Sequence, residues 1–508
     1  MHTPGNLPPS PTHIWIEPTT RCNTRCRHCD HYYRAFGSDM EERVYRKIRD
    51  SVLDGVASVD LYGDGEPFLG ACFDEMFEDC LRRGIRINLT SNGILLRQDD
   101  LADRVARANV ELILSVDGAS KETFEFARPN VGWEGILETL RCLRRHADAA
   151  GASRKFRMGF NFVGMRNNIA DLPGVIRLAA EYGASSVCLL TLACYDSREH
   201  VRSESLHNAP EILTPIVLRS LRLANELGIF LIIPGSVREL IIEGGAAAGG
   251  AFRNMTRLGR KLWLGMDLVR RRGVYRALQL VRERRQPGLK ANLSLCQKPW
   301  HDAYFSCEGK VSPCCASREV FGDLCVQDWP DVWNSPLYQN LRRTVHGWNP
   351  TRTCRECALI GGSNGGDGKY YQKYFDRFRA ERIPLDHKDL RMDEGFHALE
   401  YDEHGKPHHF WMSRRGRISL PMRKGARFVR VRIYPRTSLE GTNPGACRVN
   451  GGPPEPFDDS CPDLHFPVSQ VKDSHVRLTL EVEKAFSPEA DGRELGLGIH
   501  EVEILRAR

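Results

Sequence analysis

Three cysteines within eight residues, Cys22-Asn-Thr-Arg-Cys26-Arg-His-Cys29, constrain this chain more than any other feature. They follow the first apolar run, His13 to Glu17, where a loop leaving a strand end can wrap around a bound group. Thiolates are soft ligands suited to zinc and to iron–sulfur clusters. A structural zinc site normally closes with four ligands, and no fourth stands obviously near these three. A cluster bound by three thiolates keeps one iron open to another ligand, and that is the reading the spacing favours over zinc.

The rest of the chain fits a reduced compartment. Seventeen cysteines with no signal peptide at Met1 to Pro18 argue for metal or cluster ligation instead of a disulfide framework, and for a cytoplasmic protein. Apolar runs such as Ile229 to Pro234 fall far short of a membrane span. The net charge of +7 is mild for 508 residues, so charge gives no reason to expect a nucleic-acid partner. That length allows two to four domains.

From His13 to Pro234, short apolar runs alternate with helical patterns. The runs are His13–Glu17, Val56–Tyr62, Ile85–Leu89, Val110–Ser115, Phe156–Val163, Ser186–Thr191 and Ile229–Ile233; Gly135–Ala149 and Leu172–Tyr182 carry apolar residues at spacings of three and four. Repeated strand–helix order predicts an α/β fold with a parallel sheet, open or closed into a barrel. Beyond about Glu394 the period becomes two: Val429, Val431 and Ile433, then Val476, Leu478, Leu480 and Val482, alternate with polar residues. Half-buried antiparallel strands in a β-sandwich are expected there.

Gly63-Asp64-Gly65-Glu66-Pro67 ends the second run, Thr90-Ser91-Asn92-Gly93 the third and Ser115-Val116-Asp117-Gly118 the fourth, with Arg128 following. Ligands of parallel sheets gather at the carboxyl ends of strands, so motifs at successive strand ends reinforce one another. With the three cysteines they resemble the radical S-adenosylmethionine superfamily. The resemblance implies a partial (β/α) barrel with a [4Fe-4S] cluster on Cys22, Cys26 and Cys29. It further implies S-adenosylmethionine held by Gly63, Asp64, Gly65, Glu66, Pro67, Asn92, Ser115, Asp117 and Arg128, reductive cleavage of that cofactor to a 5′-deoxyadenosyl radical, and an external electron donor such as flavodoxin or ferredoxin. Asp64 stands where the family's motif has glycine, a mild departure because Asp tolerates unusual backbone angles better than most residues.

A second set, Cys296, Cys314, Cys354 and Cys357, resembles the family's SPASM extension in its shortened twitch form, with Gly309, Lys298-Pro299-Trp300 and Val332-Trp333-Asn334-Ser335 in support. It implies one auxiliary [4Fe-4S] cluster acting as an electron carrier; a zinc ribbon has similar spacing, and Cys315 could replace Cys314. Cys194, just past the sixth run, is either a hydrogen-atom donor to a substrate radical or an ordinary cysteine. Expected boundaries are 12–240 for the barrel, 241–290 for a basic helical insertion, 291–390 for the twitch/SPASM-like region and 391–508 for the sandwich. Between Phe252 and Lys290, twelve basic residues stand against Asp267 and Glu283. Such a helix can touch an anionic membrane surface or a phosphate-bearing substrate, or simply pack on one face.

The C-terminal run Asp491–Ile499 resembles the closing strand of β-sandwich modules attached to surface-polysaccharide enzymes, with Phe410 and Trp411 as a sugar-stacking pair or as core residues. The expectation is hydrogen-atom abstraction from a carbohydrate or glycoconjugate, phosphate- or lipid-linked, giving oxidation or epimerisation. The alternatives are a maturase of ribosomally made peptides, disfavoured by the lack of an N-terminal leader-binding domain, and a non-catalytic zinc-binding interaction protein.

Overall fold

The structure is a computed structural model. It describes residues 10–29, 37–151, 155–192, 203–206, 209–233, 237–238, 241, 296–317, 319–356, 378–402, 407–434, 444–459, 461–484 and 495–507. Cys194, Cys357 and, apart from Ile241, the basic insertion lie outside the described residues. The chain divides into two compact units: residues 1–285 with 300–333 and 362–366, and residues 286–299 with 334–361 and 367–508.

The first unit is built on parallel strands at the runs expected: β1 (His13–Ile16), β2 (Ser58–Leu61), β3 (Arg86–Ser91), β4 (Val110–Ser115), β5 (Arg157–Gly164), β6 (Ser186–Thr191) and β7 (Phe230–Ile232). All four residues of β2 are buried, as in a sheet covered on both faces. Helices α1 (Glu42–Ser51), α2 (Phe73–Arg82), α3 (Asp99–Arg107), α4 (Lys121–Ala127), α5 (Trp133–Ala149), α6 (Leu172–Tyr182) and α7 (Pro210–Glu226) connect them. The inward stripe of α5 is Ile136, Thr139, Leu140, Leu143 and Ala147, the three-and-four spacing of a helix packed on one face. Each such leucine contributes roughly 1.5–3 kcal/mol by leaving water.

The sheet runs β1 to β7 in sequence order, and its other edge is extended by late segments of the chain. Strand β8 (Asp302–Phe305) lies parallel to β1 with Ile16 opposite Phe305, and β9 (Lys310–Ser312) and β10 (Gly322–Asp323) follow antiparallel. Residues expected to open the cysteine-rich region therefore complete the sheet of the barrel unit.

The second unit is an antiparallel sheet whose main path is β17 (Pro454–Asp458), β16 (Pro444–Val449), β19 (His475–Val482), β14 (Pro407–Pro421), β20 (Leu497–Ala507), β15 (Ala426–Ile433) and β18 (Asp463–Pro467). Its two end strands come together where Phe457 meets Phe466 at 6.2 Å between rings, so the sheet is nearly barrel-like. The alternation read from sequence is met. Val429, Val431, Ile433, Val476, Leu478, Leu480 and Val482 share one core with Ile499, Val502 and Ile504. Strand β11 (Phe378–Ile383) pairs with β20 and so lies ahead of the boundary expected at 391. Phe410 packs against the core, while its neighbour Trp411 lies edge-on to His409 at 5.4 Å, so the two do not form one stacking surface.

Candidate functional site

The polar groups at the carboxyl ends of β1 to β4 interlock around the loop that carries the first three cysteines. Thr24 sits between two of them, its hydroxyl 3.2 Å from Cys22 Sγ and 3.5 Å from Cys26 Sγ. The Cys29 amide donates to the Cys26 carbonyl at 3.1 Å, turning the loop back on itself. Cys26 is buried.

Strand β2 delivers the Gly63–Pro67 turn onto this loop. The Glu66 amide donates to the Arg21 carbonyl at 2.8 Å. A methyl group at Gly65 would lie 2.5 Å from the carbonyl oxygens of both Thr19 and Arg21, so only glycine lets the two loops touch. Gly63 is equally confined: a Cβ there would stand 2.3 Å from Glu17 Oε1. Asp64 needs no special backbone freedom. Asn450 is the one non-glycine residue at positive φ among the described residues, and the Asp64 amide donates to Glu17 Oε1 at 2.8 Å. Pro67 is buried and opens a short 3-10 turn.

The Glu66 carboxylate is buried and accepts from the Ser91 hydroxyl and the Asn92 amide, both at 2.8 Å. Both donors are neutral, and burial pushes Glu66 up to about 7. The Asn92 side chain donates to Asn23 Oδ1 at 2.7 Å and reaches Cys22 Sγ at 3.9 Å, tying the end of β3 to the cysteine loop. Ser115 closes β4 opposite Asn161 of β5 and is buried.

Asp117, wholly buried beyond β4, accepts from Arg128 Nε at 2.5 Å and from the Val163 amide at 2.7 Å. Arg128 then points a second nitrogen, Nη1, at Cys26 Sγ, 3.3 Å away. Of the nine residues expected to hold the cofactor, Gly63 to Pro67, Asn92, Ser115 and Asp117 lie at or just beyond the ends of β2, β3 and β4, while Arg128 follows α4 and reaches Cys26 from there.

Several members of this network carry no motif signal. Glu17, at the end of β1, is buried and receives the amides of Asp64 and Cys307, and burial raises its pKa. A lone carboxylate closing an apolar run was the available sign. His28 lies inside the cysteine motif with Nε2 3.6 Å from Asp117 Oδ2, and burial lowers it to about 4. Asn168 donates to the Asp117 and Val163 carbonyls, both at 2.9 Å, and nothing in its local sequence announces it.

Of the second cysteine set, Cys314 belongs to the first compact unit, while Cys296 and the buried Cys354 belong to the second. Cys315 is exposed and Cys314 partly buried. Cys296 sits before a short helix, with its carbonyl 2.8 Å from His346 Nε2. Among the described residues no helix is long and apolar enough to cross a membrane.

The donor set fits an iron–sulfur cluster: the partly buried Cys22 and the buried Cys26 share one hydroxyl, and a buried cation at Cys26 offsets the charge that the thiolates would carry. Comparison with known proteins agrees. Residues 16–179 match the radical SAM superfamily and residues 296–358 match SPASM, an iron–sulfur cluster-binding domain. The tungsten-containing aldehyde ferredoxin oxidoreductase cofactor-modifying protein of Pyrococcus furiosus is 24% identical over 230 residues, 44% of this chain and 62% of that protein. The PqqA peptide cyclase of Xanthomonas euvesicatoria is 25% identical over 189 residues, 36% and 48% of the two chains. This chain thus covers less than two thirds of either relative's length. The structure of Streptococcus suis SuiB bound to precursor peptide SuiA superposes with a TM-score of 0.44 at 15% identity, over 70% of this chain and 71% of that one. The chain thus carries a radical SAM domain at 16–179 and a SPASM domain at 296–358, with a SAM-binding [4Fe-4S] cluster and an auxiliary one as their cofactors.

Proposed function

We propose that this chain removes a hydrogen atom from a peptide, with Cys22, Cys26 and Cys29 holding the cluster at which S-adenosylmethionine binds. The observation that carries the assignment is the convergence of Glu66, Asn92 and Asp117, from three successive strand ends, on the loop of those three thiols. When bound, the cluster and S-adenosylmethionine supply radical hydrogen-atom abstraction.

The residues of the chain hold and orient. Glu66 is a buried carboxylate whose hydrogen-bond donors among the described residues are neutral, with Arg128 acting on it only by charge, and the methionine ammonium of the cofactor is the cation that would ionise it fully. Gly63 and Gly65 let the backbone come close enough to place that carboxylate. Asn92 and Ser115 would line the cofactor, and Asp117 and Arg128 brace the cysteine loop at Cys26. Cys296, Cys314, Cys354 and Cys357 would hold the auxiliary cluster as an electron acceptor. A substrate radical that passes one electron to the auxiliary cluster and one proton to solvent becomes a closed-shell product lacking two hydrogens, so the proposed net reaction is oxidation.

The peptide substrate rests on likeness to a peptide cyclase; the relatives described above lend nothing to the carbohydrate expected from the C-terminal strands. The test is incubation of the anaerobically reconstituted, reduced protein with S-adenosylmethionine and panels of peptides and of glycans. The expected result is 5′-deoxyadenosine whose yield rises with a peptide, together with a product lacking one pair of hydrogens. A yield indifferent to every peptide but raised by a glycan would restore the carbohydrate reading.

A further inference from the structure

Arg128 makes two different bonds from one buried guanidinium. Its Nε donates to Asp117 Oδ2 at 2.5 Å and its Nη1 faces Cys26 Sγ at 3.3 Å. Asp117 cannot drift, because its other oxygen takes the Val163 amide at 2.7 Å and its carbonyl takes Asn168 Nδ2 at 2.9 Å. Asn168 is itself held by the Met165 amide at 2.7 Å. The guanidinium is therefore fixed at the sulfur by a chain of bonds running back to β5 and the segment following it. Among the described residues, the Thr24 hydroxyl is the other polar group close to this sulfur, and it is neutral and shared with Cys22.

We propose that Arg128, held by Asp117, is a positioning residue that sets the reduction potential of the cluster bound by Cys22, Cys26 and Cys29. The inference rests on the reading that these cysteines carry that cluster. Reduction adds negative charge that is spread over the cluster and its sulfur ligands. A cationic donor on one ligand sulfur stabilises the reduced state more than the oxidised one and raises the potential. Burial strengthens the effect, since no water competes for the sulfur or screens the charge. Asp117 moderates it by offsetting part of the guanidinium charge.

Redox titration of the reconstituted full chain without S-adenosylmethionine, followed by electron paramagnetic resonance, tests this directly. Arg128→Gln should lower the midpoint of one of the two clusters. At fixed potential the ratio of reduced to oxidised cluster should fall about tenfold, equivalent to about 59 mV for one electron. Asp117→Asn leaves the guanidinium uncompensated and should move the same midpoint upward. A merely structural role would not give opposite signs. An unchanged midpoint in Arg128→Gln with its iron retained overturns the proposal, and weakened S-adenosylmethionine binding in that protein would give Arg128 to the cofactor instead. If Arg128→Gln fails to assemble its cluster, Asp117→Asn decides: an upward shift supports the proposal and any other result ends it. Failure of the underlying reading looks different, because replacing Cys22, Cys26 or Cys29 would then remove no iron.

Discussion

Arg128 and Arg430 are both buried arginines bonded to buried carboxylates, one in each compact unit, yet they serve opposite ends. Arg430 of β15 meets Glu503 of β20, its direct partner across the ladder, and the neighbouring Arg432 reaches Glu501 at 2.7 Å and Asp463 at 3.0 Å. Every partner there lies on an adjacent strand of the same sheet. Such a set secures register and asks for nothing further. Arg128 lies just past a helix, its carboxylate lies beyond a strand end, and its remaining contact is a thiol of a third segment. Buried charge by itself therefore marks no site. Buried charge that joins separate loops at the carboxyl edge of a parallel sheet, around atoms with metal-binding chemistry, does.

The contrast is sharpest if the two networks can be broken separately. Cys26→Ala is expected to abolish S-adenosylmethionine cleavage and to reduce iron from about eight to about four per chain, the content of one four-iron cluster. Iron analysis and 5′-deoxyadenosine assay would check both, and denaturant unfolding followed at the C-terminal sheet should not change. Arg430→Met should do the reverse. It leaves the buried Glu503 carboxylate with only the more distant Arg432 Nη2, at 3.9 Å, and should cost about 3 kcal/mol in unfolding free energy, with iron content and cofactor binding intact. Adding Glu503→Leu should recover most of that loss. If the double variant is no more stable than the single one, the pair is not the self-contained register device described above.

How much of this could be read in advance differs between the units for a physical reason. The strands β1 to β7 were legible because a parallel sheet covered on both faces demands nearly unbroken apolar runs, and these stand out against helical spacing. Cys22, Cys26 and Cys29 were legible through their spacing, and Glu66, Asn92 and Asp117 through their places at strand ends. Glu17, Thr24 and His28 were not, because their parts depend on which backbone amide or sulfur the fold brings to them. In the second unit β11 and β12 (Arg391–Phe396) escaped notice for another reason. Most of their residues are only half-buried or exposed, so alternation has little apolar material to show itself in.

Proton linkage offers a finer way to set the units against each other. Burial holds Glu66 at about 7 against an ordinary value of 4.5, so the folded protein binds this proton more tightly than the unfolded chain does. The resulting stabilisation is complete below about pH 4.5 and is lost as pH rises through about 7, a change of about 3 kcal/mol in protein free of S-adenosylmethionine. In the C-terminal sheet the buried His465 is pushed the other way, well below its ordinary 6.5, chiefly by burial and then by Arg355, Arg430 and Arg432. Its neutral form is the stable one, so its contribution is present above about pH 6.5 and is lost on acidification. Denaturant unfolding between pH 5 and 8, read separately in each unit by amide hydrogen exchange, should show the parallel sheet weakening toward alkaline pH and the antiparallel sheet toward acid. Glu66→Gln mimics the protonated carboxyl and should flatten the first slope while leaving the second untouched. An unchanged slope would mean that Glu66 is already ionised in the free protein, its burial offset by the Asn92 and Ser91 bonds and the Arg128 charge.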